Sequence, residues 1–153
     1  MLPATIYIYG YELGITEPFI FEYSRGESPH VLETGRYSQC AHAPRLALSP
    51  DAQVLAVSVD NGVEFYNTYD GALYDTVDNV FSGTINNMAF DASGKYLFVC
   101  GDRAVRILHN VCGYYTTIGH CERLLKTKQT SATVERLNNT IRECKVTLAK
   151  FGK

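Results

Sequence analysis

The chain has 153 residues, enough for one domain with a sizeable core, and 46% of them are hydrophobic. A count of 14 Lys+Arg against 16 Asp+Glu leaves a net charge of −2, so no basic excess points to DNA or other nucleic acid, and no acidic tail points to a basic partner. No apolar run approaches the roughly 20 residues that span a bilayer, and Glu12, Glu17 and Glu22 break up the N-terminal region, which excludes a signal-peptide reading.

In chain order, residues 4–9 (ATIYIY) and 18–23 (PFIFEY) are rich in aromatic and β-branched side chains and predict two strands of a hairpin around Gly10 and Gly14. Residues 24–44 are polar and loop-like, with Pro29, Gly35 and Pro44 as breakers. A repeat follows. Residues 46–67 (LALSPDAQVLAVSVDNGVEFYN) and 88–109 (MAFDASGKYLFVCGDRAVRILH) align without a gap, 42 residues apart. A period in the forties built from short strands marks propeller blades rather than a helical solenoid.

Within the first copy, residues 45–49 predict a short strand and Ser49-Pro50-Asp51-Ala52 a turn. Residues 54–59 are almost continuously apolar, as in a strand buried on both faces. Asp60-Asn61-Gly62 turns the chain into a third strand at 63–67, and Tyr69-Asp70-Gly71 into a fourth at 72–77. The second copy repeats the order with strands at 87–90, 96–100 and 104–109. The expectation is four short antiparallel strands per unit.

Strand signals stop near Cys112 to Tyr115, and a helix is expected at about 115–128 with Leu124 and Leu125 inward. Val134, Leu137, Ile141, Cys144, Leu148 and Phe151 then recur at spacings of 3 and 4, one stripe of a second helix. Thr130 or Ser131 can cap it, Glu135 suits its first turn, and Gly152 suits its end. The stripe is short for an independent coiled coil, so packing against the first helix or the blades is expected. The fold class is mainly β: an incomplete propeller of about two blades and a C-terminal helical hairpin. The divisions are 1–21 (leader, hairpin), 22–44 (linker and blade edge), 45–112 (two blades) and 113–153 (helical tail).

Five cysteines (Cys40, Cys100, Cys112, Cys121 and Cys144), odd in number and without C-x-x-C spacing, argue for a reducing compartment. His109, Cys112, His120 and Cys121 are the densest set of metal-type ligands, but their spacing matches no zinc finger, and no cofactor or metal is assigned. Asp60 and Asp102 occupy equivalent repeat positions, so they read as structural turn aspartates rather than a catalytic pair. Ser49 and Ser58 lack the glycines of a nucleophile elbow, and Gly101-Asp102-Arg103 lacks the glycine spacing and lysine of a phosphate loop. Arg103 and Arg106 read as exposed arginines, open to an acidic partner or an RNA phosphate. Asn138-Asn139-Thr140 is a formal glycosylation sequon inside the second helix and is expected to stay unmodified. No catalytic residue is assigned.

Ser49-Pro50-Asp51, the buried strand, the turn aspartates and strands ending in Tyr66-Asn67 and Leu108-His109 resemble WD repeats, with those two pairs standing where that family has Trp-Asp. The Gly-His pair that usually precedes the first strand is missing in both copies. EYSRGESPHVLETGR from Glu22, CGDRAVRILHN at 100–110 and the Leu-rich tail together resemble the C-terminal part of the transducin beta-like protein 2 family, over roughly residues 22–153. That resemblance implies a non-catalytic scaffold on the cytosolic side of the endoplasmic reticulum membrane. It also implies a link to the unfolded-protein response through the stress kinase PERK, with RNA or ribosome association as the alternative. Residues 1–21 do not resemble the family, and the chain is expected to be a truncated product, an alternative isoform or an incomplete gene model. Lacking the family's anchor, it would be cytoplasmic. Two blades leave open sides, so Val54, Leu55, Val57, Tyr96, Phe98 and Val99 are expected to be partly uncovered and the chain to self-associate, or to have no function of its own.

Overall fold

The computed structural model describes residues 5–10, 19–24, 30–31, 40 and 42–153. Strands β1 (Thr5–Gly10), β2 (Phe19–Ser24) and β3 (His30–Val31) form an antiparallel leader sheet in the order β1-β2-β3. The first repeat forms a four-stranded sheet from β4 (Leu46–Leu48), β5 (Val54–Val59), β6 (Gly62–Asn67) and β7 (Leu73–Val77). The second repeat forms a sheet from β8 (Asn87–Phe90), β9 (Tyr96–Cys100) and β10 (Val105–His109), and the chain continues into α1 (Val111–Leu125) and α2 (Ser131–Lys150). Among the described residues, no helix is long and apolar enough to cross a membrane.

The three sheets stack face to face. Every residue of β5 and β6 is buried. Leu55, Val57, Val59 and Tyr66 point one way, against Ile20 of β2. Val54, Ala56, Val63 and Phe65 point the other way, against Met88, Leu97 and Val99 of the second repeat. The continuous apolar run therefore reflects a strand with a sheet on each face. It also corrects one expectation: Val54, Leu55, Val57 and Val99 are fully covered, because the leader sheet closes over Leu55 and Val57 while the two blades cover Val54 and Val99 between them. Tyr96 and Phe98 remain exposed, as expected.

The second repeat differs from expectation in holding three strands rather than four. Among the described residues no strand takes the place that β7 holds in the first blade, because the Asn110 side chain accepts a hydrogen bond from the Gly113 amide at 3.0 Å and starts a helix instead. For the same reason α1 begins several residues before the expected 115; it ends at Leu125, before the expected 128, with Leu124 and Leu125 only half-buried. In α2, Thr130 is the cap, its hydroxyl accepting from the Thr133 amide. Glu135 lies beyond the first turn, which holds no acidic residue, and Gly152 ends the helix in the left-handed conformation at φ 72°. The stripe packs on α1: Leu137, Cys144 and Leu148 are buried, Val134 and Ile141 half-buried. α1 in turn lies against β5, β6 and β7, with Cys112 buried in the core between the two blades and Arg123 stacked over the Tyr69 ring at 3.6 Å.

The turns carry the same chemistry in both repeats. Ser49 bonds the Asp51 carboxylate and receives the Val54 amide, while Asp91 holds Ser93 and the Tyr96 amide. Both turns need a left-handed residue: Gly94 supplies it at φ 72°, but the equivalent Ala52 adopts φ 58° at a steric cost. Gly62 is required for a different reason, since a Cβ there would lie 2.8 Å from the Val77 carbonyl oxygen.

Two outcomes test this account by chemical denaturation. Ala52→Gly relieves the left-handed strain and raises stability by about 0.5–1 kcal/mol, net of glycine's extra unfolded-state entropy. Ile20→Ala lowers it by about 2–5 kcal/mol, because a fully buried side chain leaves a cavity against Leu55 and Tyr66; an unchanged transition midpoint would mean that the leader sheet does not cover the first blade.

Candidate functional site

The stack ends on an uncovered apolar surface. Antiparallel pairing puts Phe98 beside Ile107 and Ala89, and Cys100 beside Val105, on the face of the second blade turned away from the first. Tyr96 is 41% exposed, Phe98 38%, Val105 57% and Ile107 60%. These four are the 42-residue equivalents of Val54, Ala56, Val63 and Phe65, which carry the second blade in the first interface. The sequence thus repeats a docking face, and the structure leaves its second copy open. Isolated exposed apolar residues are ordinary; a cluster of this kind marks an interaction surface.

At one end of that face Asp102 and Arg103 form the β9–β10 turn. The Asp102 carboxylate accepts a hydrogen bond from the Asn86 side-chain amide at 2.9 Å and so ties the turn to the segment entering β8. Between this turn and the Phe81–Thr84 loop lies an open groove of about 440 Å³. Asp60, at the equivalent turn of the first blade, adopts φ 52°. Its carbonyl receives the Ile85 amide at 3.4 Å, and its carboxylate faces the Cys40 thiol. The two aspartates occupy separate turns. Arg103 and Arg106 are exposed.

At the other end, His109 sits in an aromatic cluster. Its ring packs against Tyr96 at 5.0 Å, Tyr114 at 5.7 Å and Phe151 at 4.6 Å between centroids, and Nε2 lies 2.9 Å from the Tyr114 hydroxyl. The cluster fastens the end of α2 to β10, and Lys153 adds an ion pair to Asp75 of β7 at 3.2 Å. Burial, and secondarily the Lys95 charge, hold the His109 imidazole below its ordinary value of 6.5.

The remaining sequence candidates do not converge. Cys112 is enclosed between the blades, where burial first and the Asp75 and Asp70 charges second push its thiol up to about 12. Cys121 and Cys144 face each other's helices and are raised by burial, while His120 is exposed. None is a reactive thiolate at neutral pH. Among the described residues, no three His, Cys, Asp or Glu side chains are grouped to hold a metal ion. The Ser58 hydroxyl accepts the Arg45 amide at 2.7 Å, and Ser49 is spent on its turn, so both are structural. In the sequon, Asn139 accepts a bond from Arg142 and the Thr140 hydroxyl donates to the Arg136 carbonyl. Sequence reading flagged Tyr96 and Phe98 but not Val105 and Ile107. The available signal is the 42-residue offset, which aligns Val105 and Ile107 with Val63 and Phe65.

No family model matches the chain. It is 37% identical over 133 residues to human transducin beta-like protein 2, a match covering 86% of this chain and 30% of that protein. It is 34% identical over 132 residues to the mouse protein of the same name, again covering 86% and 30%. The chain therefore spans about a third of the length of the curated relatives it matches. Among solved structures it is similar to the Cps50 (Swd1) β-propeller domain of Myceliophteria thermophila, with a TM-score of 0.46 and 15% identity over 61% of this chain and 32% of that one. It is also similar to XC5397, a gluconolactonase from Xanthomonas campestris, with a TM-score of 0.46 and 22% identity over 63% and 32% of the two chains.

The His109 cluster generates a pH prediction. A histidine whose folded pKa lies below its unfolded value contributes stability that is present above about 6.5 and is lost as pH falls through the lower folded value. Thermal melts should therefore show a falling Tm as pH drops below 6.5, and the His109→Gln variant should show a shallower fall; identical slopes in the two proteins would remove His109 as the cause.

Proposed function

We propose that this chain, a WD-repeat β-propeller segment related to transducin beta-like protein 2 over most of its length, is a non-catalytic protein-interaction scaffold that works on the cytosolic side of the endoplasmic reticulum membrane in the unfolded-protein response. The observation that carries the scaffold reading is the uncovered apolar face of the second blade, built in the same register as a face already used for docking. Its side chains supply burial and no convergent acid, base, nucleophile or metal ligand, which suits recognition rather than chemistry. The stress kinase PERK is the partner that the resemblance puts forward, and self-association is a second use of the same open end of the stack. Asp60 and Asp102 serve in this reading as turn residues that set the blade ends, not as contacts.

Binding to the purified cytosolic region of PERK tests the proposal. The folded chain should bind it saturably in the micromolar range, and Phe98→Asp should weaken binding by about tenfold or more, as expected for a charge placed at the centre of an apolar contact. A folded chain that fails to retain the kinase at any concentration sinks the PERK assignment. Retention of RNA in its place, with an affinity that falls steeply with salt and depends on Arg103 and Arg106, would replace it with the RNA reading.

A further inference from the structure

The uncovered end of the stack also has an unpaired strand edge, and its hydrogen-bonding groups can be assigned residue by residue. Gly101 donates to the Ala104 carbonyl at 3.0 Å, and Asn110 donates to the Lys95 carbonyl at 2.8 Å, at opposite ends of the β9–β10 pair. Bonded and non-bonded residue pairs alternate along an antiparallel ladder. With the register of β10 on β9, this alternation spends the backbone groups of Arg106 and Leu108 on β9. The N–H and C=O groups of Val105, Ile107 and His109 therefore point away from the sheet. In the first blade the equivalent Val63 and Phe65 pair with β7. Among the described residues no strand takes that place, because Asn110 sends the chain into α1. α1 itself packs on the strands of the first blade, and Val105 and Ile107 remain 57% and 60% exposed.

We propose that a second copy of this chain fills this edge, β10 pairing antiparallel with β10 about a twofold axis at Ile107 to make one continuous sheet across the dimer. The proposal rests on the interaction-module reading above and gives it a surface. A twofold axis at Ile107 sets Ile107 opposite its own copy, Val105 opposite His109 and Arg106 opposite Leu108. All three outward-facing residues then exchange bonds, about six in all. An axis at Arg106 would set two guanidinium groups directly across from each other, which is destabilising, and would leave His109 unpaired. An axis at Leu108 would leave Val105 unpaired. The charge and hydrogen-bond patterns therefore select the same register. Val105 and Ile107 also cover each other's apolar surface across the axis. The contact is one short strand on each side, well under the roughly 1,200 Å² of a standard stable interface, so the dimer is a weak, reversible one.

Sedimentation of the full chain from low to high micromolar concentration should show the weight-average mass rising toward that of a dimer. Ile107→Pro removes an N–H that points to solvent, a position where an edge strand tolerates proline. It should keep the circular dichroism spectrum and shift the dimerisation midpoint upward by about tenfold or more. Ile107→Val should leave the midpoint within about twofold, since it keeps the donor and the β-branched side chain. In the unsubstituted protein, amide exchange at Val105, Ile107 and His109 should slow with concentration while that at Arg106 and Leu108 stays constant. A monomer at every concentration overturns the proposal while leaving kinase binding to be judged by its own assay. Dimerisation indifferent to Ile107→Pro, with all five amides unchanged, overturns it in favour of another surface. Slowing of the outward amides only on addition of an extended β-strand peptide gives the edge to a peptide partner and overturns it equally.

Discussion

A sheet whose strands are apolar on both sides must be covered on both sides, and that constraint organises the molecule. β5 and β6 meet it fully: all twelve residues of these two six-residue strands are buried. At about 1.5–3 kcal/mol for each buried Val, Leu or Phe side chain, this double burial is the largest favourable term that the described residues offer. It requires a sheet in front and a sheet behind. The leader sheet and the second blade supply them, and the helical hairpin closes the outer strands through Cys112, Arg123 and Tyr69.

The second blade meets the same constraint on one face only. Leu97 and Val99 are buried against the first blade, while Phe98 and Ile107 face outward. Its missing fourth strand compounds this by leaving the β10 edge unpaired. The open edge has a local cause. Asn110 caps a helix at the point where the first repeat turns through Tyr69-Asp70-Gly71 into β7. A single local choice between helix cap and turn thus determines which strand edge is left for pairing.

His109 shows how that choice is held in place. It occupies the last position of β10, and its ring joins the strand to Tyr114 on α1 and Phe151 past the end of α2. Residues far apart in the chain meet there because the hairpin folds back along the blade. The same imidazole that the spacing offered as a metal ligand is instead the centre of an aromatic clasp, desolvated enough to favour its neutral form. Local spacing cannot distinguish these roles, since both place a histidine at a strand end near cysteines.

The local order of the chain follows from residues that are near neighbours along it. The 42-residue repeat marks the order of the three strands that both blades share, the 3-and-4 apolar spacing marks α2, and Asp, Asn and Gly residues mark the turns. These features depend on periodicity and on residues near one another in the chain, so they are legible without a fold. Which apolar faces are covered depends on long-range packing. Leu55 and Phe98 look alike in the sequence, yet one is sealed by Ile20 and the other is exposed. The difference lies in which sheets stack, a long-range event that no window of residues records. The shorter second blade likewise has no local signature, because only in the folded molecule does the Asn110 cap prevail over a fourth strand. A helix start and a turn draw on the same polar residues, and packing against the first blade settles the competition.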